Sequence, residues 1–256
     1  MARASITERF DEYFQVLLAT SPEQLEQVYQ VRYEVFCQEF HYLAETQYPD
    51  HLERDEYDDF AQHALMIHRA SRRPVGCIRL IKANQGGQAY TTLPFERHYE
   101  PLPDPPIDPG SLRRDRLGEM SRLAAVEAFR RRQNDEKKPV SLTEAHEPDA
   151  AGRRSSFPFI PVGLFMTGMS MFLRSSTDIA FAMMEPRLAR LLQRFGVYFT
   201  QAGELVDYHG PRAPFFLERK GALDSLLPEV SELLSLIDTQ LFAGTPDQST
   251  SGHEER

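Results

Sequence analysis

Apolar and polar positions along this chain alternate with two periods, and the switches between them mark its elements. Residues 5–12 carry a short amphipathic pattern that predicts a helix, followed by an apolar strand from Phe14 to Ala19. Ser21-Pro22-Glu23-Gln24 then reads as a helix start: serine caps, proline suits the first turn, and Gln24 completes a capping box. That helix is expected to run to about Glu39 with the stripe Leu25, Val28, Tyr29, Arg32, Val35, Phe36. Residues 41–60 hold no sustained period and predict a loop. Strands follow at Ala61–His68 and Val75–Ile81, joined by a turn at Ser71-Arg72-Arg73-Pro74. After a glycine- and proline-rich excursion comes a strand over about Arg116–Val126. The remainder predicts a helix at Gly163–Leu173, a strand at Asp178–Met184, a helix from Pro186 that stops at Gly196, a strand at Pro214–Leu217 and a last helix at Leu226–Phe242.

Adjacent strands, with helices between other strands, imply an α/β (α+β) fold with a central mixed sheet and helices on both faces. One domain over 1–243 is expected, with a polar insertion at about 129–157 and a disordered tail at 244–256.

Three of the apolar stretches are interrupted by charge. Arg32 lies in the helical stripe, Arg79 in the strand Val75–Ile81, and Glu119 and Arg122 in the strand Leu117–Ala124. An acidic run, Glu53 to Asp59, lies between the first two. Buried charge is costly unless paired, so groups of this kind on separate elements point to one shared polar site. Taken singly, each arginine reads equally as a snorkelling side chain with a surface partner.

Composition narrows the classes. A net charge of −9 argues against general nucleic-acid binding. No apolar run reaches membrane-spanning length and the N-terminus lacks a signal-peptide core, so a cytoplasmic location is expected. Cys37 and Cys77 read as buried free thiols, and the eight histidines show no ligand spacing, so no metal is expected.

Four motifs stand in order along the chain: Arg32-x-x-x-Phe36, Glu53-x-Asp55-x-x-Asp58, Gly76-Cys77-x-Arg79-Leu80 and Glu119-x-Ser121-Arg122. In them the sequence resembles the GNAT-fold acyltransferases. Within these it is similar to the branch of acyl-homoserine lactone synthases and N-acyl amino acid synthases, and most to acyltransferases associated with PEP-CTERM/exosortase systems. The chain departs from the lactone synthases in having no tryptophan; Phe40 or Tyr42 would take that place.

The resemblance implies a bacterial enzyme that aminolyses an acyl thioester. The acceptor's amino group must lose a proton, and Glu119 is the first candidate base, with Glu53 and Asp55 behind it. Arg32, Phe36, Asp58, Arg79, Ser121 and Arg122 are the candidate substrate-binding set, in which an arginine fork could hold an acceptor carboxylate. Residues of equal parity share a strand face, so a bulge near Met120 or Ser121 is expected to let Glu119 and Arg122 converge. The stretch after the fourth strand, Ala128-Phe129-Arg130-Arg131-Arg132-Gln133, lacks the glycines of a pyrophosphate loop. No tightly bound cofactor is expected; the donor would be an acyl-phosphopantetheine thioester on acyl carrier protein, with acyl-CoA as the alternative. Arg130, Arg131, Arg132, Arg153 and Arg154, or a helix face with Arg187, Arg190 and Arg194, would dock that acidic carrier. The Phe- and Met-rich run from Phe157 to Phe172 reads as core that could also wall an acyl tunnel. A non-catalytic lipid- or carrier-binding module is the alternative outside enzymology.

Overall fold

The computed structural model describes residues 4–85, 88–89, 92–130 and 158–243. The chain opens with α1 (Ile6–Tyr13), β1 (Phe14–Leu18) and α2 (Pro22–Tyr33). Both helices start on a serine capping box. Ser5 Oγ accepts from Glu8 N at 3.0 Å, and Ser21 Oγ accepts from Gln24 N at 3.3 Å. Next come the hairpin strands β2 (Ala61–His68) and β3 (Arg73–Lys82), a short hairpin of β4 (Asn84–Gln85) and β5 (Gln88–Ala89), and β6 (Leu117–Ala125). A short helix α3 (Glu127–Arg130) follows, then α4 (Phe159–Arg174), β7 (Ile179–Met184) and α5 (Pro186–Gln193). The chain closes with β8 (Thr200–Gln201), β9 (Val206–Asp207), β10 (Pro211–Glu218) and α6 (Pro228–Phe242).

These strands form one sheet in the order β1-β2-β3-β6-β7-β10-β8, with β9 on β10. All the pairings in it are antiparallel except β6 with β7. α4 covers one face through Met66, Ile78, Leu80 and Met120, with α1 and α6 packed beside it. α2 covers the opposite face through Val28, Val31 and Val35 against Leu65, Cys77 and Ala124. The expected mixed sheet with helices on both faces is what the chain forms.

Two irregularities shape the centre. The β6–β7 ladder runs only from Leu117↔Ile179 to Glu119↔Phe181, after which the two strands part. In the β3–β6 ladder, Arg79 faces Ser121 while Cys77 faces Ala124, so two steps on β3 match three on β6. The extra residue is a bulge at Arg122, whose φ of 52° lies in the left-handed region. The expected bulge therefore exists, but one to two residues later than the sequence suggested. It shifts the parity of β6: Leu123 packs toward α4, leaving Arg122 on the face of Ser121 and Glu119.

Other departures are local. The helix begun at Ser21 does not stay α-helical to Glu39 but continues as a π-helix from Glu34 to Glu39. The expected insertion starts too early at 129, because α3 extends to Arg130 and Phe129 packs on the main core. Its remainder, residues 131–157, and the tail 244–256 lie outside the described residues. The Phe/Met run is chiefly core: Phe159 to Phe172 are all buried, and Phe157 lies outside the described residues. Among the described residues, no helix is long and apolar enough to cross a membrane.

Two glycines let α4 pack tightly against α1 and the sheet. A Cβ on Gly163 would stand 2.5 Å from Phe10 Cε2 and 2.9 Å from Met66 Cε; one on Gly168 would stand 2.7 Å from Ile78 Cδ1. Gly163→Leu is therefore expected to cost about 1–3 kcal/mol by overpacking. Urea denaturation checks it, and an unchanged midpoint would show that α4 has slack at this position.

Candidate functional site

The interrupting charges meet. Arg32, from the last turn of α2, donates through Nε to Glu53 Oε2 and through Nη1 to Asp58 Oδ1 at 2.7 Å. Arg79 Nη1 donates to Asp55 Oδ1 and Asp58 Oδ1, both at 2.6 Å, and its Nε donates to Ser121 Oγ at 3.1 Å. Arg122 donates from Nη2 to Asp55 Oδ2 at 2.8 Å and to Glu53 Oε1 at 3.1 Å. Three guanidinium groups face three carboxylates, so the cluster is neutral as a unit. Arg32, Arg79 and Glu53 are fully buried, and Asp58 nearly so. The Asp55 backbone N–H also donates to Asp58 Oδ2 at 2.8 Å, holding the loop in the turn that presents both carboxylates.

Electrostatics follow from these partners. Burial disfavours the charged forms of Glu53, Asp55 and Asp58, yet their arginines outweigh it and all three titrate below their ordinary range. His63, cross-strand from Arg79, is pushed down to about 4 by burial and by Arg32 and Arg79, against the pull of Asp58. It is neutral near pH 7 and packs edge-on against Tyr29.

Glu119 is different in kind. It occupies the last paired position of β6 before the strands part, and is 2% exposed. Among the described residues no arginine bonds to it. Its Oε2 accepts from the Phe95 backbone N–H at 2.8 Å, and Phe95 is held by stacking on Phe181 at 4.3 Å. Burial pushes the Glu119 carboxyl up to about 7, against the Phe95 hydrogen bond and the more distant Arg79 and Arg122. A carboxyl tuned to neutrality can both take and return a proton.

Glu119 lies in the wall of a cleft that opens where β6 and β7 diverge. Because the gap is in the sheet itself, both faces contribute. Ile78, Met120, Leu123, Phe165 and Leu188 line it from the α4 side. Phe36, Tyr42, Phe95, His98, Ser121 and Arg122 line it from the other. The Arg122 guanidinium lies over the Phe36 ring at 5.8 Å.

The sequence-predicted residues thus divide. Glu119, Phe36, Ser121 and Arg122 border the cleft, whereas Arg32, Arg79, Glu53, Asp55 and Asp58 do not. As bases, Glu53 and Asp55 are misplaced: their low pKa values and arginine partners leave them no appetite for a proton. Direct substrate contact by Arg32, Arg79 or Asp58 is likewise not what the geometry offers, since each is enclosed by the others. Of the docking arginines, Arg130 ends α3 and its side chain is not among those described, while Arg131, Arg132, Arg153 and Arg154 lie outside the described residues. Arg187 lines the cleft beside Glu185, 2.8 Å away.

The sequence did not single out Phe95, His98, Tyr208, His209 or Arg212, which also border the cleft. Tyr42 stacks on His209 at 4.7 Å, His209 meets Tyr208 at 4.9 Å, and Tyr208 meets His98 at 4.2 Å. These residues sit on loops and a hairpin with no period, so nothing in their spacing announces them; only the aromatic and histidine content of short loops was visible.

Among the described residues no group of His, Cys, Asp and Glu is arranged to hold a metal. Cys37 and Cys77 are free and buried, and burial pushes their thiols up to about 11 and about 12, so neither is a thiolate near neutrality.

Residues 31–137 match the family model described as an acetyltransferase (GNAT) domain, a stretch that contains all four motifs. No curated protein matches the chain by sequence. The fold is shared with solved acyltransferase structures. TofI, in a ternary complex with an inhibitor and MTA, is 17% identical with a TM-score of 0.56, covering 84% of this chain and 99% of its own. FeeM, an N-acyl amino acid synthase from uncultured soil microbes, is 15% identical with a TM-score of 0.51, covering 84% and 94%. BjaI, a CoA-dependent acyl-homoserine lactone synthase solved with MTA, is 18% identical with a TM-score of 0.51, covering 89% of both chains. The domain match covers residues 31–137, and the shared fold extends over most of the chain.

Proposed function

We propose that the protein moves a long acyl chain from a carrier thioester to the amino group of an amino acid or related amine. The observation that carries this is Glu119: a carboxyl pushed to neutrality, at the apex of a cleft that crosses the sheet.

The arrangement fits aminolysis of a thioester. Beyond Glu119 the edge of β6 that faces away from β3 has no β7 partner, so backbone groups are left to bind something else. An extended pantetheine arm carries amides that suit such an edge. Its acyl chain would lie among Ile78, Met120, Leu123, Phe165 and Leu188 on the α4 side. The amine would come from the other side, where Glu119 removes its proton directly or through one water. Attack forms the C–N bond and places negative charge on the carbonyl oxygen. The interrupted ladder at the Arg122 bulge supplies fixed backbone dipoles there. Collapse then expels the thiolate, which recovers a proton, and Glu119 is the nearest group able to give it one.

The ion-pair cluster acts as support. It fixes the bulge and the π-helix end that together set Arg122 and Phe36 at the cleft wall. Acyl carrier protein is favoured as the donor because no glycine-bearing loop follows β6. Acyl-CoA is the alternative, and the CoA dependence of BjaI, on the same fold, keeps it in view. Any tie to exosortase systems, and a cytoplasmic location, rest on the sequence resemblance and composition.

Purified protein given acyl-thioesters on carrier protein and on CoA, with pooled amino acids, is expected to yield N-acyl products detectable by mass spectrometry. Absence of transfer across both donors would overturn the proposal. Glu119→Gln should lower kcat by about 10²–10⁴-fold. In the wild type kcat/KM should climb as pH rises through about 7, because the base works only when deprotonated, and that limb should vanish in the Gln variant. Arg79→Met removes a buried partner of Asp55 and Asp58 that does not itself line the cleft, and is expected to cost about 3–5 kcal/mol in denaturant titrations. A loss below about 1 kcal/mol would mean the cluster contributes little to holding the site.

A further inference from the structure

The cleft holds a guanidinium whose hydrogen-bonding capacity is unused. Arg32, Arg79 and Arg122 each bond to two carboxylates of the buried cluster, and Arg187 stands beside Glu185. Arg212, at the start of β10, has no ion pair and no side-chain hydrogen bond among the described residues. It is half-buried, and its Nε is shielded from solvent without a partner. Its guanidinium lies over the Tyr42 ring at 5.9 Å, a contact that leaves its N–H donors unpaired. A partly buried cation without a counter-ion is unfavourable unless something else supplies the negative charge.

Its surroundings do not supply it. His209 is held below its ordinary pKa by burial and by Arg212, Arg122 and His98, against the pull of Asp207, a carboxylate that is exposed, accepts from the Gly210 backbone N–H at 3.1 Å and forms no ion pair with Arg212. The network arginines are already neutralised by their own carboxylates. Among the described arginines of the cleft, Arg212 is the one without an ion pair.

Position supports a substrate role. Arg212 and Phe216 have the same strand parity, and Phe216 packs with Phe181 and Phe95 on the face of Glu119. Across the sheet, Phe216, Phe181 and Glu119 form one row. Arg212 is four residues along β10 from that row and two strands over from Glu119. At about 3.3 Å per residue and about 4.8 Å per strand, the two Cα atoms stand roughly 16 Å apart. Two long side chains reaching toward each other leave room for a small zwitterion between their ends.

We infer that Arg212 binds the carboxylate of the acceptor, so that the substrate is an amino acid held with its ammonium toward Glu119 and its carboxylate on the Arg212 fork. This rests on the acyl-transfer reading and deepens it. The cleft's polarity, a proton-accepting carboxylate at one end and a lone guanidinium at the other, matches a zwitterion and not a plain amine. The rings of Tyr42, His209 and Tyr208 form the wall beside the carboxylate end. It also moves the anion anchor away from the arginines of the sequence motifs, whose charges are already paired with carboxylates.

The test uses the full chain with an acyl-thioester donor. Leucine, methionine, phenylalanine and tyrosine are each compared with the amine left after decarboxylation. Wild type should prefer the amino acid in every productive pair. Arg212→Gln should raise KM for the amino acid by roughly 10- to 100-fold, leave KM for the donor unchanged, and reduce the preference over the decarboxylated amine. Arg212→Lys should recover part of the affinity, because charge remains but the planar fork is lost. The melting temperature of both variants should stay close to wild type, since the Arg212 side chain makes no ion pair or hydrogen bond among the described residues and its backbone pairing is unchanged by substitution. Equal losses for amino acid and amine, or a raised donor KM, would overturn the assignment while acyl transfer stands; the second result would place a donor phosphate on Arg212. Failure of wild type with every amine would instead overturn acyl transfer and this assignment with it.

Discussion

Three arginines from α2, β3 and β6 converge on Glu53, Asp55 and Asp58, and the central architecture leans on that convergence. Taking six ionised groups out of water is costly, and the cost is offset only if every charge finds an opposite charge at bonding distance. That condition is geometrically exacting. It requires the end of α2 to lie over β3, the loop before β2 to fold back across both, and β6 to bulge so that Arg122 points the same way as Ser121. A cluster that is neutral only when complete ties these parts to one another.

The cluster is also why the proposed chemistry falls to Glu119. The carboxylates bound to arginine are held in their ionised form and have little proton affinity. Glu119 stands outside that group, in an apolar setting with a single backbone donor, and its proton affinity rises to the neutral range. Two populations of carboxylate on one sheet face are thus separated by environment: one set holds shape, one residue is free to exchange a proton.

The parting of β6 and β7 supplies the space. Strands in a continuous sheet would satisfy each other's backbone groups and close the centre. Here the parallel pairing stops after three residues, and the cleft begins where it stops. Apolar side chains reach it from the α4 face, and polar and aromatic ones from the opposite face. The same opening can therefore receive a fatty chain and a small charged amine from two directions.

Much of this was legible in the residues. The capping boxes at Ser5 and Ser21, the alternation in β2 and β3, and the glycine after α5 are local signals, and the structure follows them because local hydrogen bonds and side-chain period decide them. The burial of Arg32, Arg79 and Glu119 was legible only from the set, because a single arginine in an apolar stripe can snorkel outward whereas several charges of both signs on separate elements can pair inside. What the sequence left undecided depends on register and closure. The site of the bulge, the π-helical end of α2 and the early parting of β6 from β7 arise from how strands align across the sheet, which no single segment encodes. The loop residues Phe95, His98, Tyr208 and His209 carry no period, and with Arg212 at the start of β10 they reach the cleft only because segments far apart in sequence fold over one opening. Sequence by itself thus determined which residues must be buried and on which elements. The tertiary structure alone decided which charges pair and cancel, and that Arg212, among the described arginines of the cleft, has no ion pair.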